Sequence, residues 1–150
     1  MSLRPWQLAI EDRLAFGSVD DNLAGFGQDC VFVAAVPDES QVPRLPNRQV
    51  KPYVVLWYGQ RIQGNSGYQA ICGVKASAYR SNFLVQVQAH DGGLAMDAVA
   101  LVSNLLLGFK PFGQGELLES SSSTIRRPLD ISGVRGRISV PVAYSGTVDL

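Results

Sequence analysis

Residues 82–111, NFLVQVQAHDGGLAMDAVALVSNLLLGFKP, decide how this chain folds. Phe83, Val85, Val87 and Ala89 alternate with Leu84, Gln86, Gln88 and His90, a period of two that predicts a strand with one apolar and one half-polar face. Asp91 is placed to cap a following helix, and Gly92 and Gly93 allow a sharp turn into it. Leu94, Ala98, Leu101, Val102 and Leu105 recur at helical spacing and predict its buried stripe. Gly108 supplies a left-handed exit, and Pro111 prevents the helix from continuing.

The other segments read as elements packed around this strand and helix. Pro5 fits the first position of an N-terminal helix, with Arg4 pushed out of helical angles by the proline after it. Trp6, Ile10 and Leu14 then form its stripe, and Gly17 ends it. Residues 18–29 read as a polar, glycine-containing loop. Residues 30–36 (CVFVAAV) predict a strand buried on both faces and stopped by Pro37. Between Pro37 and Pro52 lie Pro43 and Pro46 with Arg44, Arg48 and Lys51 interleaved. Because each proline fixes φ and removes a donor, this is expected to be an extended loop.

Residues 53–58 (YVVLWY) predict a second apolar strand, closed by Gly59. Residues 61–68 read as a polar loop tip, and residues 69–79 as a weak strand broken at Gly73. A further strand begins within residues 116–119, and residues 126–130 read as a connection. Residues 134–144 give the last strand, where Pro141 implies an edge or a bulge. The sum is a single α+β domain over residues 1–150, with a mixed, mostly antiparallel sheet flanked by two α-helices.

Composition narrows the functional classes. The apolar and charged fractions are those of an ordinary soluble domain; a signal peptide is not expected, and no apolar run reaches the roughly 20 residues of a membrane span. Net charge is zero, which argues against general nucleic-acid affinity. Its distribution is uneven. Glu11, Asp12, Asp20, Asp21, Asp29, Asp38 and Glu39 make the N-terminal quarter acidic, whereas residues 40–90 hold Arg44, Arg48, Lys51, Arg61, Lys75 and Arg80 and no carboxylate. Either the charges lie on solvated loops, or they give one acidic and one basic face suited to head-to-tail assembly. Arg126-Arg127 and Arg135 with Arg137 are dense basic features late in the chain that either contact a neighbour or DNA in a channel, or guard a sheet edge.

Templates for chemistry fail. His90 has no nucleophile elbow to serve, Gly64-Asn65-Ser66-Gly67 lacks the lysine and helix of a phosphate loop, and Gly113-Gln114-Gly115 follows a helix rather than a strand. Asp20, Asp21 and Asn22 lack the alternate spacing and distal glutamate of a calcium loop. Cys30, Cys72 and His90 cannot fill a structural zinc site without carboxylates, and the cysteines read as two buried thiols rather than a disulfide. No catalytic residue, cofactor or metal is expected.

The order of these segments resembles the tail terminator proteins of long-tailed, siphovirus-type bacteriophages. The resemblance runs through VFVAAVPDES, PYVVLWYG, FLVQVQAH, LLLGFKPFGQGELL and ISVPVAY, covering nearly the whole chain except residues 120–131. It implies a ring-forming virion subunit, made in the host cytoplasm, that caps the tail tube as a homohexamer. The ring would stop tube polymerisation and offer the surface for head–tail joining. Implied partners are the chain itself, the tail tube protein and a head–tail connector protein, with DNA passing through the lumen without sequence-specific binding. Candidate interface residues are Arg44, Arg48, Lys51, Arg61, Arg135 and Arg137. Another neck or connector protein is the alternative in the same class. A small cytoplasmic ligand-binding or enzymatic α+β domain using His90 is the alternative in a different one.

Overall fold

A computed structural model describes residues 3–63, 78–119, 129–130 and 137–149. Helix α1 spans Arg4–Phe16 and buries Trp6, Ile10 and Leu14, the expected stripe, together with Ala15. It begins one residue earlier than the proline suggests, so Arg4 is helical. The clash of a proline with its predecessor is a bias rather than a prohibition, and Arg4 is held on the helix surface by Gln7 and Glu11. Gly17 ends α1 at φ 72°, its N–H donating to Arg13 O. No side chain fits there, because an added Cβ would lie 2.2 Å from Leu23 O.

Among the described residues the sheet contains six strands: β1 (Val31–Val33), β2 (Tyr53–Gln63), β3 (Ala78–Ala89), β4 (Leu118–Glu119), β5 (Leu129–Asp130) and β6 (Ile138–Asp149). Their order is β1-β2-β3-β6-β4, with β5 also on β6. Strands β1 and β2 run parallel and the other pairs antiparallel, as the expected mixed, mostly antiparallel α+β sheet requires. Helix α2 (Gly92–Leu106) follows β3, and Asp91 caps it by accepting from Leu94 N–H at 2.9 Å.

Several boundaries differ from the sequence reading. Strand β1 covers three residues rather than seven, and its side chains are half-buried or exposed. Among the described residues it is an edge strand with one neighbour, and Ala34 turns to φ 56° before Pro37 is reached. Gly59 does not end β2; the ladder shifts register between Tyr58 and Arg61 and continues to Gln63. This is the bulge that a glycine in a strand allows, with Asn82 O only 3.2 Å from where a Cβ would be. Residues 61–63, expected in a loop, are thus strand, while residues 64–77 lie outside the described residues.

Residues 129–130 pair with β6 instead of forming only a connection. Strand β6 starts at Ile138 and runs on to Asp149, and residues 134–136 of the expected strand lie outside the described residues. Pro141 sits in a central strand without a register shift toward β3. On the other side of β6, the described partners reach only Ile138, Ser139, Tyr144 and Ser145. A residue without an N–H is tolerated at the position these two short strands leave between them.

Both helices cover one face of the sheet. Trp6 meets Phe83 edge-on at 5.8 Å, Tyr58 donates to Gln7 O, and Ser103 Oγ lies 3.2 Å from Tyr144 Oη. Strand alternation puts Val54, Leu56, Phe83, Val85, Val87, Val140, Val142 and Tyr144 under the helices, all buried. The α2 stripe is rotated from expectation: Ala95, Ala98, Val99, Val102, Leu105 and Leu106 are buried, with Leu94 and Leu101 only partly so. Small Ala95 and Ala98 bring the backbone close to the sheet, and the two leucines fill the margins. The stretch Gly92–Gly113 would pass for a membrane span by length and composition alone, but it runs beyond the 15-residue helix α2. In the fold, its helical part packs on β3 and β6 and ends at Leu106, with Leu107 extended and Gly108 turning the chain at φ 78°.

Candidate interaction surface

The second face of the sheet carries Tyr53, Val55 and Trp57 on β2, Gln86 and Gln88 on β3, and Ser139 and Pro141 on β6. Its polar groups satisfy one another. Trp57 Nε1 donates to Gln86 Oε1 at 3.2 Å, and Gln86 Nε2 donates to Ser139 Oγ at 2.9 Å. Tyr53 Oη bonds to Gln88 Oε1, which accounts for a fully buried glutamine on the half-polar side of β3. Phe32 of β1 packs edge-on against the Tyr53 ring.

The proline-rich connection between the parallel strands β1 and β2, residues 34–52, folds as a strap beside this face. Val42 and Val50 sink into the core. Within the strap a small hairpin forms, with an isolated bridge between Arg44 and Val50. Leu45 N–H donates to Gln49 O, and Arg48 N–H donates to Leu45 O. Arg48 sits at the tip of this turn with φ 68°, a conformation unfavourable for a residue with a Cβ.

Glu39 ties the strap to the sheet. Its Oε1 accepts from Arg137 Nη2 at 2.6 Å and its Oε2 accepts from Arg44 Nη2 at 3.0 Å. Arg137 Nη1 donates to Tyr53 Oη at 3.2 Å, while its Nε is buried without a partner. Arg44 also donates from Nη1 to Arg48 O, fixing the carbonyl of the tip residue. Burial pushes the Tyr53 hydroxyl above its ordinary pKa, with the neighbouring Arg137 opposing the shift.

The six basic candidates therefore separate. Arg137 is only 4% exposed and is a structural clamp, not a surface contact or an edge guard. Arg44 is exposed but engaged within its own strap. Arg48 and Lys51 are exposed and make no ion pair among the described residues. Burial of the Cys30 thiol raises its pKa, with the charge of Lys51 opposing the shift. Arg61 stands opposite Ser81 in the ladder, with its side chain outside what the structure describes, and Arg135 lies outside the described residues. Cys30 is a buried free thiol; Cys72 lies outside the described residues.

A second feature is the turn after α1. Ser18 and Leu23 exchange backbone bonds at 2.8 Å, and Phe26 and Gly27 donate back to Leu14 O and Ala15 O. Arg13 Nη2 grips Asp21 at 3.0 Å, Ser18 Oγ lies 3.2 Å from the same carboxylate, and Arg13 Nε donates to Leu105 O. The Arg13 and Ser18 contacts hold the Asp21 carboxyl below its usual pKa. The turn displays Phe16, 63% exposed, and Val19, 96% exposed. Asp12 and Asp20 beside them are exposed and make no ion pair among the described residues.

The charge division read from the sequence is thus only partly a division of surfaces. Glu39, counted with the acidic segment, lies inside the basic strap, whereas Asp12 and Asp20 belong to the helical side. No sequence signal pointed to the pairing of Glu39 with Arg137 or to the display of Phe16 and Val19. Among the described residues no three His, Cys, Asp or Glu side chains come together as metal ligands. His90 lies half-buried at the junction of β3 and α2.

The architecture is that of an α+β sheet domain with both helices on one face and a charged strap at the other. It is similar in fold to a chain from the virion of a native gene transfer agent (GTA) particle, with a TM-score of 0.55 and 18% identity, covering 96% of this chain and 94% of that one. No protein-family model and no curated protein matches the chain.

Proposed function

We propose that this chain is a structural protein of a tailed, phage-like virion and that it caps the end of the tail tube as a hexameric ring. In that role it halts tube polymerisation and presents the surface to which a head–tail connector protein joins, while DNA passes through the lumen. The observation that carries the reading is the fold shared, over nearly the full length of both chains, with a component of a gene transfer agent virion. The order of motifs along the sequence supports the narrower role of terminator. So does a surface with rigidly presented charges, Arg48 on the strap and Asp20 on the turn after α1, which suits a protein whose work is binding rather than catalysis.

The test is removal of the chain during particle assembly, with tails measured by electron microscopy. Terminator function predicts tubes of uncontrolled length and filled heads without tails. Tubes of normal length that merely fail to join heads would defeat the capping role and favour a neck connector instead. Labelling the chain in finished particles separates the two positions independently.

A further inference from the structure

We infer that the acidic turn following α1 of one copy docks against the Arg48 tip of the strap on the next copy, forming the repeated head-to-tail contact of the ring. This rests on the ring reading above and names the two surfaces that would close it.

The turn has the character of a binding knob. Phe16 and Val19 are large apolar side chains left in solvent, yet the backbone that carries them is braced by the Ser18–Leu23 bridge, the Arg13–Asp21 ion pair and the bonds from Phe26 and Gly27. A rigid element loses little conformational entropy when it docks. The carboxylates of Asp12 and Asp20 flank the knob without internal counter-ions among the described residues.

The strap tip is its counterpart. Arg48 is held in a left-handed turn by the bonds between Leu45 and Gln49 and between Arg44 and its own carbonyl, so its position is fixed. Arg44 shares the Glu39 carboxylate with Arg137, whereas the Arg48 guanidinium has no ion pair among the described residues, with exposed Val36 on the same strap. A guanidinium can pair with a carboxylate and stack on an aromatic ring in one contact. The chain already makes such a stack internally, where Arg13 lies 4.7 Å from the Phe109 ring centroid.

The turn belongs to the helical layer, whereas Glu39 and Arg137 clasp the strap to the opposite face of the sheet. Two complementary surfaces on opposite sides of a subunit satisfy each other only between copies, and repetition of that contact closes a ring or extends a filament.

Charge exchange tests the pairing. Wild type, Asp20→Lys, Arg48→Glu and the double variant are compared by sedimentation velocity over a range of protein and salt concentrations, with circular dichroism confirming that each is folded. Each single reversal is expected to raise the concentration needed for assembly roughly tenfold or more. The double variant restores assembly, because every contact again joins opposite charges. Mixing the two single variants also restores assembly, because each knob then meets an opposite charge on the other variant and the two alternate around the ring. Single variants that assemble like wild type, or a folded double variant that is not rescued, overturn the inference while the ring reading stands. A wild type that stays monomeric at every concentration overturns the ring reading and this inference with it.

Discussion

Glu39 and Arg137, 98 positions apart, are joined by a 2.6 Å bond from the Arg137 guanidinium to Glu39 Oε1. The pair is asymmetric: the arginine side chain is 4% exposed and the glutamate 67%. Removing the glutamate strands a buried cation, which costs more than returning a carboxylate to water. Glu39→Ala is therefore expected to lower unfolding free energy by about 3 kcal/mol, and Arg137→Met by only about 1 kcal/mol through its lost hydrogen bonds. Urea denaturation of the two variants measures the order, and equal losses would contradict it.

The two left-handed glycines flanking the helices should respond differently to alanine. Gly17 has φ 72° and backbone atoms of Leu23, Ala24 and Gly25 inside 3 Å of a would-be Cβ. Gly108 has φ 78° and nothing within 4 Å. Gly17→Ala is expected to cost about 3 kcal/mol, the conformational penalty plus a steric one, and Gly108→Ala about 1 kcal/mol. Thermal melts resolve this, since 1 kcal/mol shifts Tm by roughly 2–4 °C at this size.

Asp91 caps the central helix with a 2.9 Å bond from Leu94 N–H. Asp91→Ala should destabilise by about 1 kcal/mol, whereas Asp91→Asn, which keeps the acceptor, should stay within a few tenths. Similar losses for both would mean that the carboxylate acts through its charge instead.

Arg48 separates folding from assembly. Relieving its φ of 68° with Arg48→Gly should stabilise the folded subunit by about 0.5–1 kcal/mol. The same substitution removes the proposed contact and should weaken oligomerisation. A variant that melts higher and still assembles normally would show that the strap tip contributes nothing to the ring.

The Asp21 carboxyl, held below its ordinary 3.8 by Arg13 and then by Ser18, gives the turn a defined pH response. A depressed folded-state pKa means its stabilising contribution is complete above 3.8 and disappears as pH falls through the lower folded value. Asp21→Asn should flatten that acid limb of the stability profile while leaving neutral behaviour almost unchanged. A carboxyl titration by NMR that found Asp21 at or above 3.8 would remove the basis for this expectation.

Sequence reading succeeded where local physics dominates. The stripe of α1, the Asp91 cap, the Gly17 and Gly108 exits and the alternation of Phe83, Val85, Val87 and Ala89 all follow from periodicity and backbone sterics within a few residues. It failed where the outcome depended on neighbours in space. Residues 30–36 look like a core strand by composition, but only Val31–Val33 find a partner, at the sheet edge. Gly59 looks like a terminator, but the β3 ladder carries β2 past it.

The candidate interface divides along the same line. The sequence determined that Arg44, Arg48, Lys51 and Arg137 exist among prolines and strand ends, that no catalytic template fits them, and that acidic and basic residues fall in different stretches. Which arginine is buried, which is bound by Glu39, and which stands free on a braced turn was decided only by tertiary structure. An ion pair spanning 98 residues has no periodicity to announce it. The free energy of a charge depends on the water and counter-charges that the fold, rather than the adjacent sequence, places around it.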